Sequence, residues 1–238
     1  MAKQRVTVCV PPCAPEDLHR FIGRAMAPFD YNRTDHPDPD WVGEWDYWFV
    51  SGAGCLFAVL PGHEQDPRLV RRDEWTEPPV DPPPSRCHGG PRGLLDLAVD
   101  RDEAAARARV LWKEYQEFAT CYPPALPYGF FATRAHTDPV TYPRERVVEE
   151  FTDQPLIRAL VENPALGDQF ANNPVAYFGE DLETFVAERV AEVLPTPTLL
   201  TLDGRWIESG GPEYLRMFNE YLESLPADTM VVRLLYHS

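Results

Sequence analysis

An α+β fold, with a mixed or mostly antiparallel sheet and helices packed on one face, is what this sequence predicts. Three observations carry it. Short β-branched, alternating segments lie near both ends of the chain, at residues 5–10 and 230–236. Between them, stretches such as Leu18, Phe21, Ile22, Ala25 and Met26 repeat apolar residues at helical spacing. Pro143, Pro155, Pro164 and Pro174 then cut the middle of the chain into short elements. The resulting order is β-α-β, a long excursion, β-α, several helices, then β-hairpin-α-β. It fits a ferredoxin-like core elaborated by long Pro-rich loops.

Taken in order, Arg5–Val10 is a strand ended by Pro11 and Pro12. Pro15 suits a first helical turn, Glu16 and Asp17 complement its positive end, and Pro28 stops the helix. The segment 30–40 is a polar, proline-broken loop. Trp45–Val50 is large on both faces and reads as a central strand covered on each side. Ser51-Gly52-Ala53-Gly54 bends it, and Cys55–Leu60 reads as its continuation or hairpin partner. Residues 61–92, with Pro78-Pro79, Pro82-Pro83-Pro84 and Gly89-Gly90, read as a surface excursion without regular elements.

Leu94–Val99 is a short extended segment, and Asp100 or Asp102 caps the following helix. That helix carries Ala104, Ala108, Leu111, Tyr115 and Phe118 as its stripe. Residues 121–143 read as loop, and 143–194 as a helical segment. Thr198–Leu202, Asp203-Gly204 and Arg205–Ile207 form a hairpin. Tyr214, Leu215, Phe218, Tyr221, Leu222 and Leu225 then line a helix, and Met230–Tyr236 closes the chain as an apolar strand before His237. The whole reads as one domain of residues 1–238.

The 238 residues carry a formal charge of −16, with 44% hydrophobic content. Such a chain has enough apolar material for a real core. Its sign disfavours nucleic acid, which needs clustered Lys and Arg, and suits a basic protein partner. No apolar run is long enough for a membrane helix, and the start lacks a signal-peptide core. Five scattered cysteines read as reduced thiols of a cytoplasmic protein.

Chemistry points first to Trp41–Phe57, which holds three of the six tryptophans around a single Asp46. A carboxylate among large aromatics must be paired, exposed or functional. The candidate catalytic residues are Asp46 as base or electrostatic partner and His237 as its assistant, with His36 a further candidate. The candidate ligand walls are Trp45, Trp48 and Trp206, with Arg205 beside them. The competing expectation is that the tryptophans are core and that Asp46 is bridged to an arginine such as Arg205.

Asp35, His36, Asp38 and Asp40 could offer oxygen and imidazole ligands, as could Cys87-His88 or Cys9 with Cys13, but solvated turns and buried thiols account for them equally well. No metal or cofactor is therefore expected. His136 and Asp138 could form an acid–base pair, or simply a turn. Walker, dinucleotide-binding, nucleophile-elbow and zincin motifs are absent from the sequence.

Five blocks resemble a family found in high-GC bacteria and their phages. They are Met26-Ala27-Pro28-Phe29, Trp45-Asp46-Tyr47-Trp48, Leu95–Arg109, Thr196-Pro197 through Asp203-Gly204-Arg205-Trp206, and Leu225–His237. They span most of the chain in order. The family usually continues its aromatic block with Gly-Gly-Arg-Trp, where this chain has Ser51-Gly52-Ala53-Gly54. It often ends in Asp-Cys-His, where this chain has Leu235-Tyr236-His237. The resemblance implies provenance and fold, and a phage-related protein acting on a host protein. The expectation is thus a soluble acidic interaction protein. The alternative is an enzyme or small-ligand binder with a pocket at Asp46.

Overall fold

The computed structural model describes residues 3–36, 41–76, 80–170 and 173–238. Pro78 and Pro79 of the proline-rich excursion lie outside the described residues. The chain forms two compact units, one from residues 1–101 with 191–238, the other from 102–190.

The first unit opens with β1 (Lys3–Val10), α1 (Leu18–Met26), β2 (Tyr47–Val50), β3 (Phe57–Val59), β4 (Arg86–Cys87), β5 (Gly89–Pro91) and β6 (Leu95–Asp96). Helix α2 (Val99–Ala119) leads to α3 (Tyr128–Thr137), α4 (Arg144–Thr152), α5 (Pro155–Glu162), α6 (Pro164–Phe170), α7 (Pro174–Tyr177) and α8 (Leu182–Ala191). The first unit then resumes with β7 (Thr198–Leu200), β8 (Trp206–Glu208), α9 (Pro212–Ser224) and β9 (Met230–His237).

The fold is α+β. A mixed sheet runs in the order β2-β9-β1-β7-β8, with β5 also on β9, and β4-β3-β6 make a small antiparallel sheet. The β1–β7 pair is parallel, whereas β1 and β9 run antiparallel from Lys3↔His237 to Val10↔Met230. Strand β9 is central because it is apolar on both faces. Met230, Val232, Leu234 and Tyr236 pack with Leu18, Ile22 and Met26 of α1. Val231 packs with Tyr214, Phe218 and Leu222 of α9 on the other face. Each such aliphatic side chain contributes about 1.5–3 kcal/mol when fully buried. The helices therefore cover both faces of the sheet, and a ferredoxin-like layering with helices on one face is not what this chain builds.

Three further expectations are corrected. Among the described residues, the aromatic strand β2 lies at the sheet edge and pairs only with β9. At Val50 its outer edge is met by a single residue rather than a strand: Val50 N–H donates to Glu74 Oε2 at 2.9 Å, and Glu74 N–H donates to the Val50 carbonyl at 2.9 Å. Cys55–Leu60 neither continues β2 nor pairs with it, since β3 belongs to the small sheet. The proline-rich excursion ends in buried structure, with Cys87, His88, Gly89, Gly90 and Pro91 all inaccessible. Glycine is required at position 89, where a Cβ would stand 2.3 Å from the Val231 carbonyl oxygen.

The second unit is helical. Residues 128–137, expected as loop, form α3. Prolines occupy the first position of α5, α6 and α7, where their missing N–H costs nothing. The core gathers Tyr115, Phe131, Phe151, Phe170, Phe178 and Phe185, and Tyr115 stacks on Phe178 at 4.2 Å. Helix α2 is capped by Asp96, whose Oδ1 accepts from Val99 N–H at 3.1 Å, while Asp100 bonds Arg86 instead. No described helix is long and apolar enough to cross a membrane.

Candidate functional site

The cavity at the aromatic block is built from two backbone segments that cross at very short range. Tyr31 N–H donates to the Trp45 carbonyl at 2.7 Å, and Glu44 N–H donates to the Phe29 carbonyl at 2.8 Å. Only glycine permits this crossing, because a Cβ at Gly43 would lie 2.3 Å from Tyr31 Cα. Beside it opens a cavity of about 370 Å³, lined among the described residues by Tyr31, Gly43, Glu44, Trp45, Asp46 and Ser238. Two of the lining residues are aromatic, Tyr31 and Trp45, and two carry carboxylate side chains, Glu44 and Asp46. Burial, and then the nearby Glu208 carboxylate, push Glu44 above the usual carboxylate range. Among the described residues no basic side chain pairs with Glu44.

Asp46 and His237, 191 residues apart in sequence, meet because β2 pairs with β9 in the register Tyr47↔His237. Asp46 N–H donates to the His237 carbonyl at 3.1 Å. Asp46 Oδ1 lies 2.7 Å from His237 Nδ1, and Tyr47 stacks on the imidazole at 4.7 Å. A carboxylate holding one imidazole nitrogen is the arrangement that orients a general base. Among the described residues, however, no hydroxyl or thiol bonds this imidazole, and Asp46 rather than His237 lines the cavity.

The structure thus brings Trp45, Asp46 and His237 together and leaves the other candidates elsewhere. Trp45 is also anchored in the core, its indole N–H donating to the Met26 carbonyl at 3.0 Å. Trp48 stacks on His19 at 4.6 Å. Trp206 packs between Phe29 and Tyr236, and its buried indole N–H has no partner among the described residues. Arg205 bonds Asp203 at 2.9 Å in the hairpin, so the expected Arg205–Asp46 bridge is not formed.

Asp35 is paired with Arg33 at 2.6 Å, which holds its carboxyl low, and His36 stacks on Trp41 at 4.4 Å. Asp38 and Asp40 lie outside the described residues. Cys9 and Cys87 are buried in the core of the first unit. Among the described residues, no three His, Cys, Asp or Glu side chains converge as a metal site. Asp138 bonds the hydroxyl of Thr141, which favours its turn role over a partnership with His136.

A second polar cluster went unread in the sequence. Ser51, Asp73, His88 and Arg233 are all buried, at the point where β2 ends and β5 takes over as neighbour of β9. Ser51 N–H donates to the Arg233 carbonyl at 3.2 Å, and Arg233 N–H to the His88 carbonyl at 2.8 Å. Ser51 Oγ donates to Asp73 Oδ2 at 2.9 Å. His88 Nδ1 accepts from Gly52 N–H at 2.8 Å, which places its proton on Nε2, 3.7 Å from Asp73. Burial pushes this imidazole below its usual range, outweighing Asp73.

The residue types are those of a hydrolase triad, but the connections are not. The serine bonds the carboxylate directly, and the imidazole nitrogen that would face an orienting acid is spent on the backbone. The cluster joins two half-strands. Its one sequence signal was Arg233, a lone charge inside Met-Val-Val-Arg-Leu-Leu. Comparison with family models, with curated proteins and with solved structures gave no match.

Proposed function

We propose that this protein binds a small organic cation, an alkylammonium or guanidinium group, in the cavity beside Asp46. The observation that carries the reading is Glu44, a carboxylate pressed by burial and by Glu208, without a described basic partner, in a cavity walled by Tyr31 and Trp45. A cation there would relieve the like-charge repulsion and lie against ring faces, an attraction worth about 0.5–2 kcal/mol. The −16 charge of the chain supports the same sign of ligand and extends the reading to a basic protein partner, whose Lys or Arg side chain carries the same chemistry. All five cysteines are free thiols, which supports a reducing, cytoplasmic setting.

Titration with n-butylammonium, tetramethylammonium and a lysine-containing peptide, read by tryptophan fluorescence or calorimetry, tests the proposal, with butyrate as the control of opposite charge. Saturable binding of the cations and none of butyrate is expected. Glu44→Gln and Asp46→Asn should each weaken it roughly tenfold, about 1.4 kcal/mol. Affinity should rise with pH as Glu44 loses its proton. Preference for the peptide over the free amines would identify a protein partner as the source of the cation. Equal response to butyrate, or cation binding untouched by both substitutions, would refute the cavity as the site.

A further inference from the structure

Between the cavity and Glu74, strand β2 leaves part of its outer edge open. Backbone groups alternate in direction along a strand, so the pairing with β9 decides which residues face outward. Ser51 N–H donates to the Arg233 carbonyl, and Arg233 N–H turns to the same side, toward the His88 carbonyl. In the register Phe49↔Leu235 and Tyr47↔His237, Phe49 and Tyr47 therefore point their N–H and carbonyl at β9. Trp48 and Val50 point theirs away. Glu74 takes both groups of Val50. Among the described residues, nothing bonds the backbone N–H or carbonyl of Trp48.

Exposed edges are normally blunted by charges, proline or a bulge. The opposite edge strand, β8, is of that kind, with Glu208 in it and Arg205 just before it. Tyr47-Trp48-Phe49 has no charge and no proline. Its rings instead flank the open edge. Tyr47 is 39% exposed and meets Phe49 edge-on at 5.7 Å, and Phe49 meets Trp75, also 39% exposed, at 5.4 Å. Trp48 lies on the other face, half-buried against the α1 side of the core. A strand laid along this edge gains aromatic cross-strand neighbours on both of its faces.

The two ends of the opening are acidic. Glu44 and Asp46 of the cavity stand at one end, and the Glu74 carboxylate stands at the other. Asp46 and Glu74 each meet one imidazole, His237 at 2.7 Å and His19 at 3.2 Å. The Lys3 ammonium sits over the Trp75 ring at 3.4 Å. At about 3.3 Å per residue, a segment paired with Trp48 passes Asp46 two residues along.

We infer that β2 accepts an extended segment of a partner protein as an added strand, paired through Trp48, which delivers a lysine or arginine side chain into the cavity at Glu44 and Asp46. The inference rests on the cation reading of that cavity and names the form in which the cation arrives. Main-chain bonds hold the segment, and the cavity selects its basic residue. The middle of the segment is uncharged and β-branched, to match the aromatic edge.

The probe is the capped heptapeptide Thr-Lys-Thr-Val-Thr-Lys-Thr, titrated into the intact protein beside n-butylammonium. Two further versions carry backbone N-methyl groups, one on the lysines and valine, the other on the two inner threonines. An added strand spends its N–H groups on alternate residues. One methylated version should therefore bind at least about tenfold more weakly than the parent, and the other within about threefold. Hydrogen exchange at the Trp48 amide should slow at least about tenfold with the parent peptide and stay unchanged with n-butylammonium. No binding of the parent peptide, equal binding of the two methylated versions, or an unprotected Trp48 amide at saturation would overturn the inference while amine binding stands. If n-butylammonium fails to bind as well, the cavity reading falls with it. A dimer in sedimentation whose Trp48 amide is protected without peptide would place a second copy on the edge, and overturns the inference too.

Discussion

Replacing Gly89 with alanine tests how β9 acquires two neighbours along one edge. The added Cβ would lie 2.3 Å from the Val231 carbonyl oxygen and 2.7 Å from Val232 Cα. Both are backbone atoms of the central strand, so no flexible side chain is available to yield. Strand β5 would have to lift from β9, straining the bonds from Val70 N–H to the Gly89 carbonyl and from Arg233 N–H to the His88 carbonyl, each 2.8 Å. Overpacking of this kind costs about 1–3 kcal/mol, and two weakened backbone bonds add about 1 kcal/mol each.

The expected loss is therefore roughly 3–5 kcal/mol, which at a urea slope of about 2–3 kcal/mol per M lowers the midpoint by about 1–2.5 M. Five of the six tryptophans lie in the first unit, so tryptophan fluorescence reports its unfolding. Gly210→Ala is the control, because nothing lies within 4 Å of a Cβ there. A midpoint shift no larger than that of the control would refute the close approach of β5 to β9.

Two other outcomes follow from the same physics. Burial lowers the His88 pKa in the folded state below its usual value near 6.5. Above that pH neither state holds the proton. Below it the unfolded chain binds one and the folded chain resists, so stability falls with decreasing pH, by up to about 1.4 kcal/mol per unit, until the folded imidazole titrates. In His88→Asn, whose side-chain oxygen still accepts from Gly52, urea midpoints between pH 7.5 and 5 should fall less steeply than in the wild type. Identical slopes would sink the assignment. In the second unit, Gly129 sits in the first turn of α3 with open space around it. Gly129→Ala should stabilise by a few tenths to about 1 kcal/mol, read as slower amide exchange in α3. Faster exchange would contradict the helix.

Local patterns in the sequence carried much of this protein. The β1 strand, the α1 stripe with its proline stop, and the Asp-Gly hairpin joining β7 to β8 were legible because each is set by neighbours in the chain. Asp46 stood out for the same reason, as a carboxylate among aromatics. The failures have a common cause. Large side chains on both faces suggested that β2 was central, yet position in a sheet depends on partners far away, and β9 took the centre. Tyr31 and Glu44 joined the cavity through a backbone crossing licensed by Gly43, which no periodicity announces. Gly89-Gly90 looked like loop material because glycine marks turns more often than close strand contact. Arg233 was readable, since a lone charge in an apolar strand demands an explanation, but its partner Cys55 is 178 positions away.

The discontinuity of the first unit bears on how the chain reaches its native state. Its two central strands pair Lys3 with His237, so the sheet closes only after a loop spanning the entire helical unit is drawn in. The entropic cost of that closure grows only logarithmically, and doubling the loop adds about 0.6 kcal/mol. Interposing residues 102–190 therefore leaves the equilibrium almost unchanged. The rate is another matter, because contacts this remote in sequence form slowly. The helices of the second unit, built from near neighbours, are free to assemble early. Until β9 arrives, β1 waits with a bare edge, and that interval is when the apolar strands of this sheet are most exposed to pairing with another chain.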